Sequence, residues 1–289
     1  MKRVVLCVIC ALALVAPAAT AQDAPAEEIP PGWRTGVVAK LAGSQVGFSN
    51  WQGGGINSLA FTAGVEGESK KESVRFKQKV NLRLSIGAIK QDTLSLRKAE
   101  DAIFAAYVVR YKGDGFFAKW NPTFAADLRT QFLEGFDYGS QPEERVSDLF
   151  APAYLTQALG LTYGIDDWFS QRFGFGAKQT VVTIEELRAS YGFQDDELDK
   201  SARLEAGIES QTQLTREIFK NVIYKSTLSL FAAFNNADKP DAIWENLLTM
   251  KVNDWLQTNF EMILLFDDDV KKEIQLKEVF SVGVAFTLL

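Results

Sequence analysis

The stretch Val74-Arg-Phe-Lys-Gln-Lys-Val-Asn-Leu-Arg-Leu-Ser-Ile-Gly-Ala88 decides the fold. Its alternate positions Val74, Phe76, Gln78, Val80, Leu82, Leu84, Ile86 and Ala88 are apolar apart from Gln78. The intervening Arg75, Lys77, Lys79, Asn81, Arg83, Ser85 and Gly87 are cationic or polar. A period of two sends these sets to opposite faces of an extended strand. Such a strand separates hydrocarbon from water, and the pattern recurs along the chain.

The N-terminus reads as an export signal, residues 1–21. Lys2 and Arg3 form a charged start, Val4 to Val15 an apolar run, and Ala19-Thr20-Ala21 a small-residue cleavage site before Gln22. The run is shorter than the roughly 20 residues of a spanning helix, which argues against a membrane anchor. Cys7 and Cys10 lie inside it without the small residue that precedes a lipidated cysteine. Both leave with the signal, so the mature chain is expected to hold no disulfide or reactive thiol. Loss of Lys2 and Arg3 leaves 29 basic against 37 acidic residues, a net of −8, which argues against a nucleic-acid partner. Residues 22–32 read as a proline-rich leader, and residues 33–289 suit one barrel or one large β domain.

Twelve strands are expected from the alternation: Trp33–Phe48, Ser58–Glu66, Val74–Ala88, Ile103–Tyr111, Phe116–Phe132, Ala153–Tyr163, Phe169–Val182, Ala202–Thr212, Val222–Phe234, Ile243–Val252, Trp255–Phe266 and Val279–Leu289. Gly67–Glu72 reads as a turn, Lys90–Glu100 and Asp267–Gln275 as loops, and Glu185–Arg188 as a short helix inside an acidic loop. Lys112-Gly113-Asp114-Gly115 is a hairpin signal. The glycine run Gly53-Gly54-Gly55 lacks the Gly-Lys-Ser/Thr of a phosphate loop and reads as a loop.

A soluble β-sandwich or lipocalin-like barrel also alternates. Three regularities favour lipid. Shorter and longer connections take turns along the chain, as in outer-membrane barrels. Aromatic residues flank the shorter ones, Tyr111 with Phe116 and Tyr163 with Trp168. The last strand, with Phe280, Val282, Val284, Phe286 and Leu288 on one face, ends the sequence, although Leu289 stands where a terminal aromatic is usual. The expectation is an all-β, transmembrane, antiparallel up-and-down barrel in the outer membrane. Its partners would be outer-membrane lipid and lipopolysaccharide, with the barrel-assembly machinery during insertion, and it would be a monomer.

Ser49-Asn50-Trp51-Gln52-Gly53-Gly54, Trp244-Glu245-Asn246-Leu247, Lys251-Val252-Asn253 and the ending Val282-Gly283-Val284-Ala285-Phe286 resemble the barrel proteins grouped as domain of unknown function 3078. The resemblance spans about Trp33 to Leu289. It implies an outer-membrane β-barrel and supplies no activity and no site residues.

The polar strand faces name the candidate lumen-lining residues. The cations are Arg75, Lys77, Lys79, Arg83, Arg110, Lys119, Arg129, Arg172, Lys178, Arg203, Lys225 and Lys251; the acids are Asp127, Glu205, Glu209, Glu245 and Glu261. This excess predicts a cationic lumen, a porin-like passage for small solutes or anions. The alternative is a closed barrel whose charges pair, serving as anchor, receptor or structural protein. About eight strands are filled by side chains and about sixteen leave a channel. The chain has no histidine, which removes the common hydrolase and histidine-metal chemistries. Glu205 and Glu209, about 13 Å apart on one strand face, are too distant for a carboxylate dyad. No catalytic residue, cofactor or metal is expected. The loop acids Asp195, Asp196, Glu197, Asp199 and Asp267–Asp269 could gather divalent cations, but solvated loop charge is the simpler reading.

Overall fold

The computed structural model describes residues 32–46, 57–165 and 167–289. The signal, almost all of the leader, the Asn50–Gly55 loop and Asp166 lie outside the described residues.

The strands are β1 (Trp33–Val46), β2 (Ser58–Glu72), β3 (Phe76–Gln91), β4 (Arg97–Tyr111), β5 (Trp120–Thr130), β6 (Gly135–Asp137), β7 (Glu144–Ser147), β8 (Ala153–Ile165), β9 (Phe169–Val181), β10 (Ala202–Phe219), β11 (Val222–Ala233), β12 (Asp241–Lys251), β13 (Leu256–Asp267) and β14 (Lys271–Thr287). Two one-turn helices, α1 (Phe116–Lys119) and α2 (Glu185–Arg188), sit between strands. Twelve strands close into one antiparallel barrel in the order β1-β14-β13-β12-β11-β10-β9-β8-β5-β4-β3-β2, and β6 and β7 form a separate hairpin. Strand β1 pairs with both β2 and β14, Val38 facing Glu66 on one side and Thr287 on the other. The ring therefore leaves no open sheet edge.

Burial shows that this barrel is inside out. Leu41, Leu59, Phe61, Leu82, Phe124, Leu159, Phe173, Phe175, Leu204, Ile208, Phe280 and Phe286 are all exposed. They stand on one parity of eight strands and cover the outer wall. An apolar exterior of this extent is rare on soluble monomers and is the lipid-facing surface of a transmembrane barrel. The residues buried within the barrel wall are mostly small or polar, among them Ala125, Ala158, Thr123 and Thr162. Among the described residues the packed apolar cluster, Ala151, Val182, Leu187 and Phe193, belongs to the loops. Between β8 and β9 the two backbones come close at facing glycines: Gly160 faces Gly174, and a Cβ on Gly160 would stand 2.1 Å from the Phe173 carbonyl oxygen. Only glycine on both strands permits that approach.

Several boundaries differ from the sequence expectation. Strand β2 continues to Glu72, so the expected Gly67–Glu72 turn is strand and the chain reverses at Ser73–Arg75. Val74 and Arg75 thus fall in a turn, where the Arg75 guanidinium donates to the Tyr111 hydroxyl at 3.1 Å. Strand β5 begins at Trp120; α1 precedes it, closed by Phe117 N–H to Asp114 carbonyl and Ala118 N–H to Gly115 carbonyl bonds. Strand β4 starts at Arg97 and β14 at Lys271, which shortens both expected loops. In β2, β4 and β14 charged residues alternate inside the barrel and read as turn or loop. The β6–β7 hairpin, hidden in a polar stretch, was not expected.

The wall's orientation can be checked at Leu159, the midpoint of β8 and 64% exposed. Leu159→Arg should cost about 2–4 kcal/mol in a bilayer, the penalty for arginine at the membrane midplane. Denaturant unfolding in liposomes measures it; a cost under about 0.5 kcal/mol, that of an ordinary exposed surface site, would place this wall in water.

Candidate lumen site

The parity opposite to the lipid face points inward, and contacts between distant strands confirm it. Arg129 of β5 donates to Glu245 of β12 at 3.0 Å. Four strands separate β5 from β12 on the shorter way round the ring. Arg83 of β3 meets the same Glu245 at 3.6 Å and Glu261 of β13 at 3.8 Å. Lys277 of β14 reaches Glu100 of β4 at 2.6 Å, and Ser85 donates to the other oxygen of Glu100 at 3.2 Å. The Phe104 ring lies under both arginines, its centroid 5.0 Å from the Arg129 guanidinium carbon and 5.9 Å from that of Arg83. Asp127 adds a second carboxylate to Arg129 at 3.6 Å. These side chains tie the β3–β5 wall to the β12–β14 wall at mid-depth. The aqueous interior is crossed there by ion pairs.

Above this belt, toward the end that carries the β5–β8 and β9–β10 loops, the lumen is acidic. Lys178 contacts Asp241, Glu205 at 3.3 Å and Asp267 at 3.5 Å. Arg203 contacts Glu205 at 3.1 Å and Asp269 at 2.9 Å. Four carboxylates here face two cations. Nearer the short β8–β9 turn, Arg172 and Glu209 make a bidentate pair at 2.6 and 3.1 Å, both buried. A buried pair of this kind keeps its charges only because each satisfies the other.

Loops close over this end. The β9–β10 loop turns at Gly192, whose φ of +79° is in the left-handed region that favours glycine. Gly192 packs against Asp269 of the β13–β14 turn and accepts from Arg203 at 2.6 Å. Strands β11 and β12 lie between these two hairpins, so the loop leans over the mouth. Arg188 holds the loop from within, donating to the carbonyls of Val182 at 3.2 Å and Leu198 at 2.6 Å. The Tyr191 hydroxyl donates to the Val146 carbonyl at 2.7 Å, joining this loop to the β5–β8 loop. Burial pushes that phenol above its ordinary value, so it remains a donor at physiological pH. The result is a packed platform rather than loose loops.

The short-turn end is cationic. Lys70, Lys77, Lys79 and Lys112 share two acids: Glu68 contacts Lys70 and Lys79 at 2.7 Å each, and Glu72 contacts Lys112 at 3.0 Å and Lys77 at 3.6 Å.

Of the residues predicted to line the lumen, Lys77, Lys79, Arg83, Arg110, Asp127, Arg129, Arg172, Lys178, Arg203, Glu205, Glu209, Lys225, Glu245, Lys251 and Glu261 stand on the inward parity of their strands. Arg75 and Lys119 do not: one is in the β2–β3 turn, the other in α1. The expectation missed the acids Glu66, Glu68, Glu72 and Glu100 and the cations Arg34, Lys40, Lys70 and Lys277, and it left Asp241 and Asp267 in loops. The run Glu66, Glu68, Lys70, Glu72 alternates, and that was the available signal. With these acids included, the lumen is not uniformly cationic. Its charge is sorted along the axis. Among the described residues no group of histidine, cysteine or carboxylate side chains is arranged to hold a metal ion.

No curated protein matches the sequence. Solved structures with a similar chain path include the COG4313 outer membrane channel from Pseudomonas putida F1, at 8% identity, covering 92% of this chain and 99% of that one, with a TM-score of 0.39. The translocator domain of autotransporter NalP from Neisseria meningitidis is 8% identical, covers 90% of each chain and has a TM-score of 0.36. The beta domain of the Bordetella autotransporter BrkA is 10% identical, covers 87% of this chain and 98% of that one, and has a TM-score of 0.34. The resemblance read from the sequence is met over a shorter span than Trp33 to Leu289: residues 44–136 match the family described as protein of unknown function, DUF3078.

Proposed function

We propose that this protein is a monomeric outer-membrane barrel, closed at mid-depth, that acts as a membrane-anchored binding and structural protein rather than an open porin. Export would use the N-terminal signal, and the loop platform would face outward. The observation that carries this reading is the pairing of Glu245 with Arg129 and Arg83 from the far wall. A barrel of this size could hold water along its axis, and opposite walls that share one carboxylate put a bar of side chains across that axis, which supports closure. The packed loops support the same reading, because ordered surface is what a binding partner meets at low entropic cost. No enzymatic role is assigned.

Two recordings test this. The purified protein in planar bilayers should insert without steady conductance, and a large stable conductance, anion-selective or not, would contradict closure. Glu245→Gln removes the charge that both arginines share. It should convert the silent barrel into one with frequent openings that prefer anions, with at least a tenfold rise in mean current. A variant as silent as the parent would show that the Glu245 pairs are not what closes the lumen.

A further inference from the structure

We propose that the inner wall of β1–β4, at the short-turn end, is a binding site for a multiply charged anion bearing phosphate or carboxylate groups. The register carries the inference. Arg34 stands directly opposite Lys70, Lys70 opposite Lys79, and Lys77 opposite Arg110. All five project inward, because Leu59, Phe76, Val80 and Leu82 of the other parity face lipid. Directly opposed side chains on an antiparallel pair come within about 4.5–5.5 Å at Cβ, and like charges there destabilise the sheet. Three such pairs in one patch are a cost that strand pairing alone does not explain.

The acids present do not cancel it. Glu68 is shared by Lys70 and Lys79, and Glu72 by Lys77 and Lys112. Six cations thus face two contacting carboxylates, with Asp167 of the β8–β9 turn a third acid within reach of Arg110. Among the described residues Arg34 and Arg110 form no ion pair within contact distance. Asp167 and Arg172 act on Arg110 from the β8–β9 hairpin, with opposite signs. The patch is also wet: the side chains of Lys70, Lys77 and Lys79 are 48, 52 and 41% exposed. Solvated cations on one concave wall, two of them arginines with forked donors, suit a polyanion. The opposite end cannot bind it, since carboxylates surround Lys178 there. The site is one-sided, and it does not depend on whether the mid-depth belt is closed.

The test is isothermal titration of the full chain in detergent at low ionic strength, with tripolyphosphate and, separately, citrate. Saturable binding is expected, weakened at least tenfold by Arg34→Gln with Arg110→Gln and falling steeply as salt screens the charges. Lys271→Gln at the loop end should leave it unchanged. Binding of tripolyphosphate alone identifies phosphate as the ligand group, and binding of citrate alone identifies carboxylate. A second readout separates binding from structure. Without anion, the double variant should melt at a higher temperature than the parent, because a like-charge contact is gone. No saturable binding of either anion, binding insensitive to salt, or a double variant that binds as the parent does would each overturn the proposal. So would a lower melting temperature in the anion-free variant.

Discussion

The structure depends on one closure, the pairing of β14 with β1. In hydrocarbon a backbone polar group has no solvent partner, so a sheet in the bilayer must use every edge on itself. Once the ring is closed, alternation fixes the rest. One residue in two must be apolar and faces lipid, as Leu159, Phe175 and Ile208 do. The other faces a confined aqueous space, where a charge that finds no counter-charge is costly. The interior therefore becomes a place where ion pairs form between strands far apart in the ring, and Arg129 meets Glu245 although 116 residues separate them.

The charges are arranged in layers, and the layers suggest a division of labour. At the loop end, acids outnumber cations beneath a packed platform held by Arg188, Tyr191 and Gly192. At mid-depth, Arg83, Arg129 and Lys277 fasten one wall to the other. At the turn end, cations crowd a solvated wall. An anion entering from the turn side would meet attraction first, then a locked belt, then repulsion. That profile suits a molecule that holds a charged ligand on one side of the membrane better than one that lets it through.

Much of this was legible in the sequence, for definite reasons. The opening stretch, less its first two residues, is a strand because apolar Phe76, Val80, Leu82 and Ile86 alternate with charges, and the last strand is read in the same way. The strand count survives because each strand has enough apolar outer residues to announce itself. The boundaries suffered where the outer face is weak. In Glu66–Glu72 the outward positions are Gly67, Ser69 and Lys71, so the run looks like a turn although its inward charges alternate. Lys119 was misplaced because Phe116, Ala118 and Trp120 imitate strand alternation through a helical turn. The lumen's acids were undercounted because Glu68, Glu72, Glu100, Asp241 and Asp267 sit in segments that read as turn or loop. The pairing of Lys277 with Glu100, across 177 residues, leaves no local mark at all.

The mature chain would carry no cysteine, so single cysteines can map water along one strand. In proteoliposomes, a charged thiol reagent added on the short-turn side should modify Lys79→Cys rapidly, Ser85→Cys at least tenfold more slowly because it lies beyond the Arg83 belt, and Val80→Cys and Leu82→Cys hardly at all. Equal rates at positions 79 and 85 would mean that water runs continuously through the barrel and would contradict closure. Rapid modification at 80 and 82 would contradict the membrane-facing wall itself.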